Sequence, residues 1–396
     1  MAAEMQHWAL ERCKAILSDL VAFQTVSSES NLEIIDYLST ELEAAGARIW
    51  VETDPTGQKA NLFATIGPDT SGGVVLSGHT DVVPVADQSW SSDPFTLLEQ
   101  DGRLYGRGTC DMKGFVAACV SLAPVFAKAD LQVPVHFAFT YDEEIGCFGA
   151  QALVKSLQSR GIAPQAAIIG EPTMMRPVDG HKGCNEYTTW VTGLEGHGSA
   201  PDKGVNAVEY AARLVLELVR LRDQLRALAP DDCPFDPPHS TINPGVLIGG
   251  QAHNVIPGKA RIDWEMRPVQ PADSEFVKAA MARLVEDELL PAMRAVFPEA
   301  QITTETVAEV AGLERRAQNP ARDLIMALTG TNDVGLVPFG TEAGLFQSIG
   351  IPSVICGPGA IDQAHKPDEY VSVTQLNTCL RMLSRLSEKL TTGPVS

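Results

Sequence analysis

The sequence predicts an α/β protein: a mainly parallel sheet flanked by helices, interrupted by an inserted α+β domain. Three observations carry this reading. Strand-like apolar runs alternate with helical patterns at the start of the chain and again at its end. Four apolar runs lead into an acid or a histidine: Gly73–Asp81, Val135–Glu144, Ala166–Glu171, and Ser353–Gly359 with His365 shortly after. Between the third and fourth of these lies a segment with the order β-α-β-β-α-β, the split βαβ or ferredoxin-like arrangement.

The elements follow in order. Trp8–Phe23 and Leu32–Ala45 read as helices, the second stopped by Gly46. Arg48–Glu52 and Leu62–Ile66 read as strands. Phe115–Ala127 is apolar enough for a buried helix despite Pro124, and Gln151–Arg160 is a short helix stopped by Gly161. Beyond Gly183 the pattern changes. Glu186–Thr192 is strand-like, and Asn206–Leu228 is a long helix. Its predicted apolar face is Val208, Ala211, Ala212, Val215, Leu218, Val219 and Leu225, broken by Arg222. Thr241–Gly249 is a strand. Lys259–Arg267 alternates cleanly, with Ala260, Ile262, Trp264 and Met266 on one face. Ser274–Arg294 is a helix and Ile302–Val307 a strand. Asn319–Thr329 is a helix with Asn319 as cap and Pro320 in the first turn. Ser353–Cys356 is a strand and Val373–Leu390 the closing helix. The expected domains are 1–183 and 309–396, forming one metal-binding body, with 184–308 inserted.

Bulk properties exclude several classes of function. Acids outnumber bases 50 to 30 in 396 residues, a formal charge of -20. A protein that tracks phosphates or an anionic membrane needs a basic surface, so neither nucleic acid nor a membrane is an expected partner. No run of about 18 apolar residues and no signal-peptide pattern occurs. Eight cysteines without Cys-x-x-Cys spacing read as reduced thiols of a cytoplasmic protein.

The strand-end residues carry the chemistry. In open α/β sheets, ligands bind outside the carboxyl ends of the strands. His79 ends the first run, and Asp81 is placed to accept its second ring N–H, as carboxylates do for metal-bound imidazoles. Asp111 sits in the glycine-rich turn Gly106-Arg-Gly-Thr-Cys-Asp-Met-Lys-Gly114. A dinucleotide fingerprint would need glycine at 111 and a strand before it. Glu143 and Glu144 are adjacent, so their side chains point apart, and one can ligate while the other moves protons. Glu171 and His365 complete the set. His197 lies in Gly196-His-Gly198 of the inserted domain, and His136 reads as a core residue within a strand.

The motifs Ser77-Gly-His-Thr-Asp81, Gly106–Gly114, Asp142-Glu-Glu144, Gly170-Glu-Pro-Thr173 and Ala364-His-Lys-Pro-Asp-Glu369 resemble, in order, those of the di-zinc aminoacylase and carboxypeptidase superfamily. Within it the resemblance is nearest to the bacterial acetylornithine deacetylases, with the succinyl-diaminopimelate desuccinylases next. It implies a zinc-peptidase-like body and an inserted lid through which two copies form a homodimer. It implies two divalent ions, zinc first, with cobalt or manganese tolerated. His79 and Glu171 then hold one ion, Glu144 and His365 the other, and Asp111 bridges them, followed by a cis peptide at Asp111–Met112. Glu143 is the implied general base and Asp81 the group that orients His79. His197 reaches a partner subunit's site, Arg267 binds the substrate carboxylate, and Asn254 lies near the substrate. The implied reaction is hydrolysis of N2-acetyl-L-ornithine in arginine biosynthesis. The alternatives are N-acetylcitrulline, succinyl-diaminopimelate or another N-acyl amino acid as substrate. Gly340-Thr-Glu-Ala-Gly344 sets the deacetylases apart, which places Glu342 near the site, favouring a cationic side chain.

Overall fold

The computed structural model describes residues 3–393. They form two compact units: the chain to Gly180 with Arg315–Leu336 and the part from Thr341 on, and His181–Glu314 with Val337–Gly340. In chain order the first unit opens with α1 (Ala3–Ala22), α2 (Leu32–Ala44), β1 (Arg48–Thr53), β2 (Ala60–Ile66) and β3 (Val74–His79). It continues through α3 (Lys113–Lys128), β4 (Val135–Thr140), α4 (Phe148–Ser159), β5 (Ala166–Pro172) and β6 (Val178–His181). The second unit contains β7 (Cys184–Thr192), α5 (Ala207–Ala227), β8 (Thr241–Gly249), β9 (Lys259–Arg267), α6 (Pro271–Arg283) and β10 (Gln301–Val310). The chain then adds α7 (Pro320–Thr329), β11 (Gly335–Val337), α8 (Ala343–Ser348), β12 (Ser353–Gly357) and α9 (Val373–Leu390).

The main sheet has eight strands in the order β1-β2-β4-β3-β5-β12-β6-β11. Its four central strands, β4, β3, β5 and β12, run parallel, and β1 with β2, β2 with β4 and β12 with β6 pair antiparallel. Every residue of those four strands is buried. This is why their sequences read as unbroken apolar runs rather than alternation: both faces of a parallel sheet are covered. Helices α1, α2, α3, α7 and α9 share one apolar core with the sheet. The mixed α/β class, mainly parallel at its centre, is thus as the sequence predicts.

In the second unit the strand order is β8-β9-β7-β10, all antiparallel, with α5 and α6 completing the split βαβ arrangement. On β9 the buried face is Ala260, Ile262, Trp264 and Met266, as its alternation requires. On α5 the buried stripe differs from the predicted one. It consists of Ala207, Ala211, Leu214, Leu218, Leu221 and Leu225. Four leucines at strict three- and four-residue spacing outweigh the smaller Ala212 and Val215, so Ala212 is exposed. The predicted helix over 274–294 begins at Pro271 and passes through a π turn, Leu284–Leu289. Pro291 has no N–H to close a regular turn there.

His136 on β4 is buried, as predicted. It stacks on Phe63 at 5.2 Å and its ring nitrogens lie 2.9 Å from Thr65 Oγ1 and 3.2 Å from the Gly72 carbonyl. Burial pushes its pKa down from 6.5 to about 4. Its contribution to stability is therefore complete above pH 6.5. It is lost as pH falls towards 4, where the unfolded chain takes up a proton that the folded chain refuses. We expect His136→Gln to shrink the stability loss between neutral pH and pH 4 by on the order of 3 kcal/mol. Urea denaturation at both pH values checks this, and an equal loss in both proteins would exclude His136 as the cause.

Candidate metal centre

The parallel centre of the sheet brings four of the strand-end residues to one edge. His79 is the last residue of β3, Glu143 and Glu144 follow β4, and Glu171 is the last but one of β5. His365 follows β12 in the loop after Gly357. Asp111 arrives from the turn before α3, across a cis Asp111–Met112 peptide.

Asp111 lies between the two imidazoles. Its Oδ1 is 3.0 Å from His79 Nε2, and its Oδ2 is 3.3 Å from His365 Nε2. Glu171 Oε1 lies 3.7 Å from His79 Nε2, on the Oδ1 side. Glu144 Oε2 lies 3.0 Å from His365 Nε2, on the Oδ2 side. Glu143 and Glu144 sit in a turn rather than the extended segment expected, closed by the Gly146 and Cys147 amides donating to the Glu143 carbonyl, each at 3.1 Å. Ligand atoms of His79, Glu143 and Glu171 all lie within 4.8 Å of one another, as do those of His79, Asp111 and Glu144.

His79 is fully buried and its Nδ1 is 2.9 Å from the Asp81 carbonyl. A carbonyl only accepts, so Nδ1 carries a proton and Nε2 is the ring atom that faces the cluster. The Asp81 carboxylate, expected to make this contact, stands further off at 3.5 Å. It accepts instead from the Glu143 and Glu144 amides, at 3.1 and 3.3 Å, and from Ser27 Oγ at 2.7 Å. Asp81 thus sets the imidazole with its backbone and the acid pair with its side chain. Lys59 steadies the same turn, donating to Asp142 Oδ1 at 2.8 Å and to the Ser27 carbonyl at 2.7 Å. Cys147 Sγ lies 3.6 Å from Glu143 Oε1. Nothing in the local sequence around Ser27 or Lys59 marks them, because both reach the site from elsewhere in the chain.

The electrostatics call for cations. Burial pushes the Glu171 and Glu143 carboxyls well above their usual range, and neighbouring carboxylates push further. Burial and Asp111 bring Glu144 up to about 7. Asp111 and Glu144 together hold the His365 imidazolium up to about 10. Glu171 Oε1 is buried without any hydrogen-bond partner, a costly state for a carboxylate oxygen. Carboxylates with two imidazoles form a donor set that suits divalent ions, and the two arms around Asp111 fit two of them.

Residues 75–389 match the sequence model of Peptidase family M20/M25/M40. The chain belongs to this family. It is 39% identical over 386 residues to an acetylornithine deacetylase of Myxococcus xanthus, covering 95% of this chain and 97% of that one. It is 34% identical to an acetylornithine deacetylase of Proteus mirabilis, over 91% of each chain. Its fold resembles a Staphylococcus aureus tripeptidase (TM-score 0.72, 20% identity, 97% and 99% covered). It also resembles an M20 metallo-carboxypeptidase of Sulfolobus solfataricus (TM-score 0.73, 17% identity, 96% and 99% covered). With such relatives and this donor set, the chain is a metal-dependent hydrolase. Among the described residues, no helix is long and apolar enough to cross a membrane.

In this M20-family chain the residues expected on the substrate side divide. Glu342, expected beside the substrate, lies under the strand ends instead. It is 1% exposed, and its oxygens accept from Ser77 Oγ at 2.9 Å and from Thr140 Oγ1. These two hydroxyls of β3 and β4, not a substrate ammonium, account for its place. His197, Asn254 and Arg267 belong to the second unit. His197 is exposed and pairs with Val255 across a two-residue ribbon, and the Gly198 amide donates to the Asn254 carbonyl at 2.8 Å. His197 and Asn254, distant in sequence, are thus neighbours. Arg267 ends β9 and is paired with Glu265 at 2.9 Å.

Glycine at 170 lets α3 close on β5 beside Glu171: a Cβ there would lie 2.0 Å from the Phe115 ring. Gly170→Ala should therefore destabilise the fold by about 1–3 kcal/mol, as overpacked cores do. A denaturation midpoint unchanged from wild type would contradict this packing.

Proposed function

We propose that the chain is a di-zinc amidohydrolase that converts N2-acetyl-L-ornithine to L-ornithine and acetate in the cytoplasm, a step of arginine biosynthesis. The observation that carries this reading is the near full-length likeness to acetylornithine deacetylases, joined to a donor set with two arms around Asp111.

His79 and Glu171 would hold one ion and Glu144 and His365 the other, with Asp111 between the two arms. Bound there, the pair supplies Lewis-acid polarisation of the acyl carbonyl and a water of lowered pKa. Glu143 does the proton work. Its carboxylate takes a proton from the attacking water as the new C–O bond forms, then delivers it to the amine nitrogen as the C–N bond breaks. The Asp81 carboxylate supports this by fixing the Glu143 amide. His197 donates to the carbonyl oxygen as negative charge develops on it. Arg267 leaves Glu265 to pair with the substrate carboxylate, and Asn254 lines the same end.

Homodimerisation through the second unit fits its surface. β8 is an edge strand whose Leu247 and Ile248 are 48% and 55% exposed, and Leu216 on α5 is 68% exposed. Exposed apolar edges of this kind call for a partner. The burial of Glu342 removes one sequence argument for a cationic side chain. That observation favours keeping a second reading, a related N-acyl amino acid amidohydrolase acting on N-acetylcitrulline, succinyl-diaminopimelate or another acylated amino acid.

Parallel kinetics on acetylornithine, acetylcitrulline and succinyl-diaminopimelate separate these readings; the first predicts the highest kcat/KM for acetylornithine. Glu143→Ala should retain bound zinc and lose about two to four decades of kcat; substantial turnover in that variant would remove Glu143 as the base. His197→Ala should lower kcat while leaving zinc affinity unchanged, and light scattering should give a dimer. A fully active monomer would sink the shared site.

A further inference from the structure

Glu369 lies four residues beyond His365, and its carboxylate is 1% exposed. Four donors converge on it. Arg107 Nη1 donates at 2.7 Å, the Gly108 amide at 3.0 Å, the Cys110 amide at 2.8 Å and the Asp111 amide at 3.0 Å. The Gly106 amide donates to the Glu369 carbonyl at 3.0 Å. The glycine-rich turn that presents Asp111 is therefore wrapped around one side chain of the His365 loop.

Arg107 makes the return connection. Its guanidinium donates to the Lys366 carbonyl at 3.3 Å and to Gln88 Oε1 at 2.5 Å. Gln88 Nε2 in turn donates to the His365 carbonyl at 3.0 Å. His365 needs such ties. Its side chain is 51% exposed and its backbone is left-handed, with φ 62°. His79 and Glu171 sit within β3 and β5 and are held by the sheet itself.

A buried ion pair is a poor device for stability alone, since apolar residues of the same volume stabilise as well. Its value here is geometric. Taking the two-ion reading above as given, we propose that Glu369, with Arg107, is the positioning residue that sets the separation of Asp111 from His365. The ion on the Glu144–His365 arm depends on it through both Asp111 and His365, while the ion on the His79–Glu171 arm depends on it through Asp111 alone and keeps two ligands held by the sheet.

The test is calorimetric titration of the metal-free full chain with Zn²⁺. Wild type should take up two ions. E369Q presents an amide NH₂ where a carboxylate oxygen had accepted, opposite donors or Arg107. It should weaken one ion by about 10–100-fold, as loss of such supporting contacts does, and leave the other nearer its wild-type affinity. Gln88→Ala, in an exposed stretch, should show a smaller loss at the same ion. If E369Q does not fold, Arg107→Lys is read in the same way and decides. Two unchanged affinities, or an equal loss of both, overturn the proposal. A wild type that takes up a single ion overturns the two-ion reading and this inference with it.

Discussion

Burying an ionised carboxylate away from water costs several kcal/mol unless an opposite charge or several donors offset it. Here Asp111, Glu143, Glu144 and Glu171 are enclosed with only two imidazoles among them. Each raises the cost of ionising the others, and Glu171 keeps an oxygen with no donor at all. Divalent ions relieve this crowding. The arrangement is a standing electrostatic debt that cations settle, and the surrounding structure serves to keep it in place.

The sheet does this by simple means. Four adjacent parallel strands end at one edge, so residues at or just beyond their ends meet although they lie far apart in sequence. Glycine at 170 lets α3 approach β5 closely, and Asp111 comes from the turn just before α3. Around the candidate metal site, polar groups are locked by protein partners: Asp81 by two amides and Ser27, Glu342 by two hydroxyls. Rigid support of this kind holds a site at working geometry.

Much of this was legible in the sequence, for definite reasons. A doubly covered parallel strand has no choice but an apolar run, so β3, β4, β5 and β12 announced themselves, and so did the acids and histidine that closed them. β9 showed its faces through strict alternation. What escaped were choices made by tertiary packing. On α5 two nearly equivalent apolar stripes compete, and the leucine-rich one won by volume. For Asp81 the neighbour in sequence was His79, yet its carboxylate is used by the amides of a turn more than sixty residues away. Glu342 is held beneath the strand ends, because its partners Ser77 and Thr140 are visible as such only once β3 and β4 lie together.

The central claim is that the cluster exists to hold two cations on either side of Asp111. Anomalous diffraction at the zinc edge from crystals of the zinc-loaded protein tests it most directly. The account predicts two strong peaks, one among His79, Glu171 and Asp111 and the other among Glu144, His365 and Asp111. A single peak, or peaks lying away from these side chains, would contradict it.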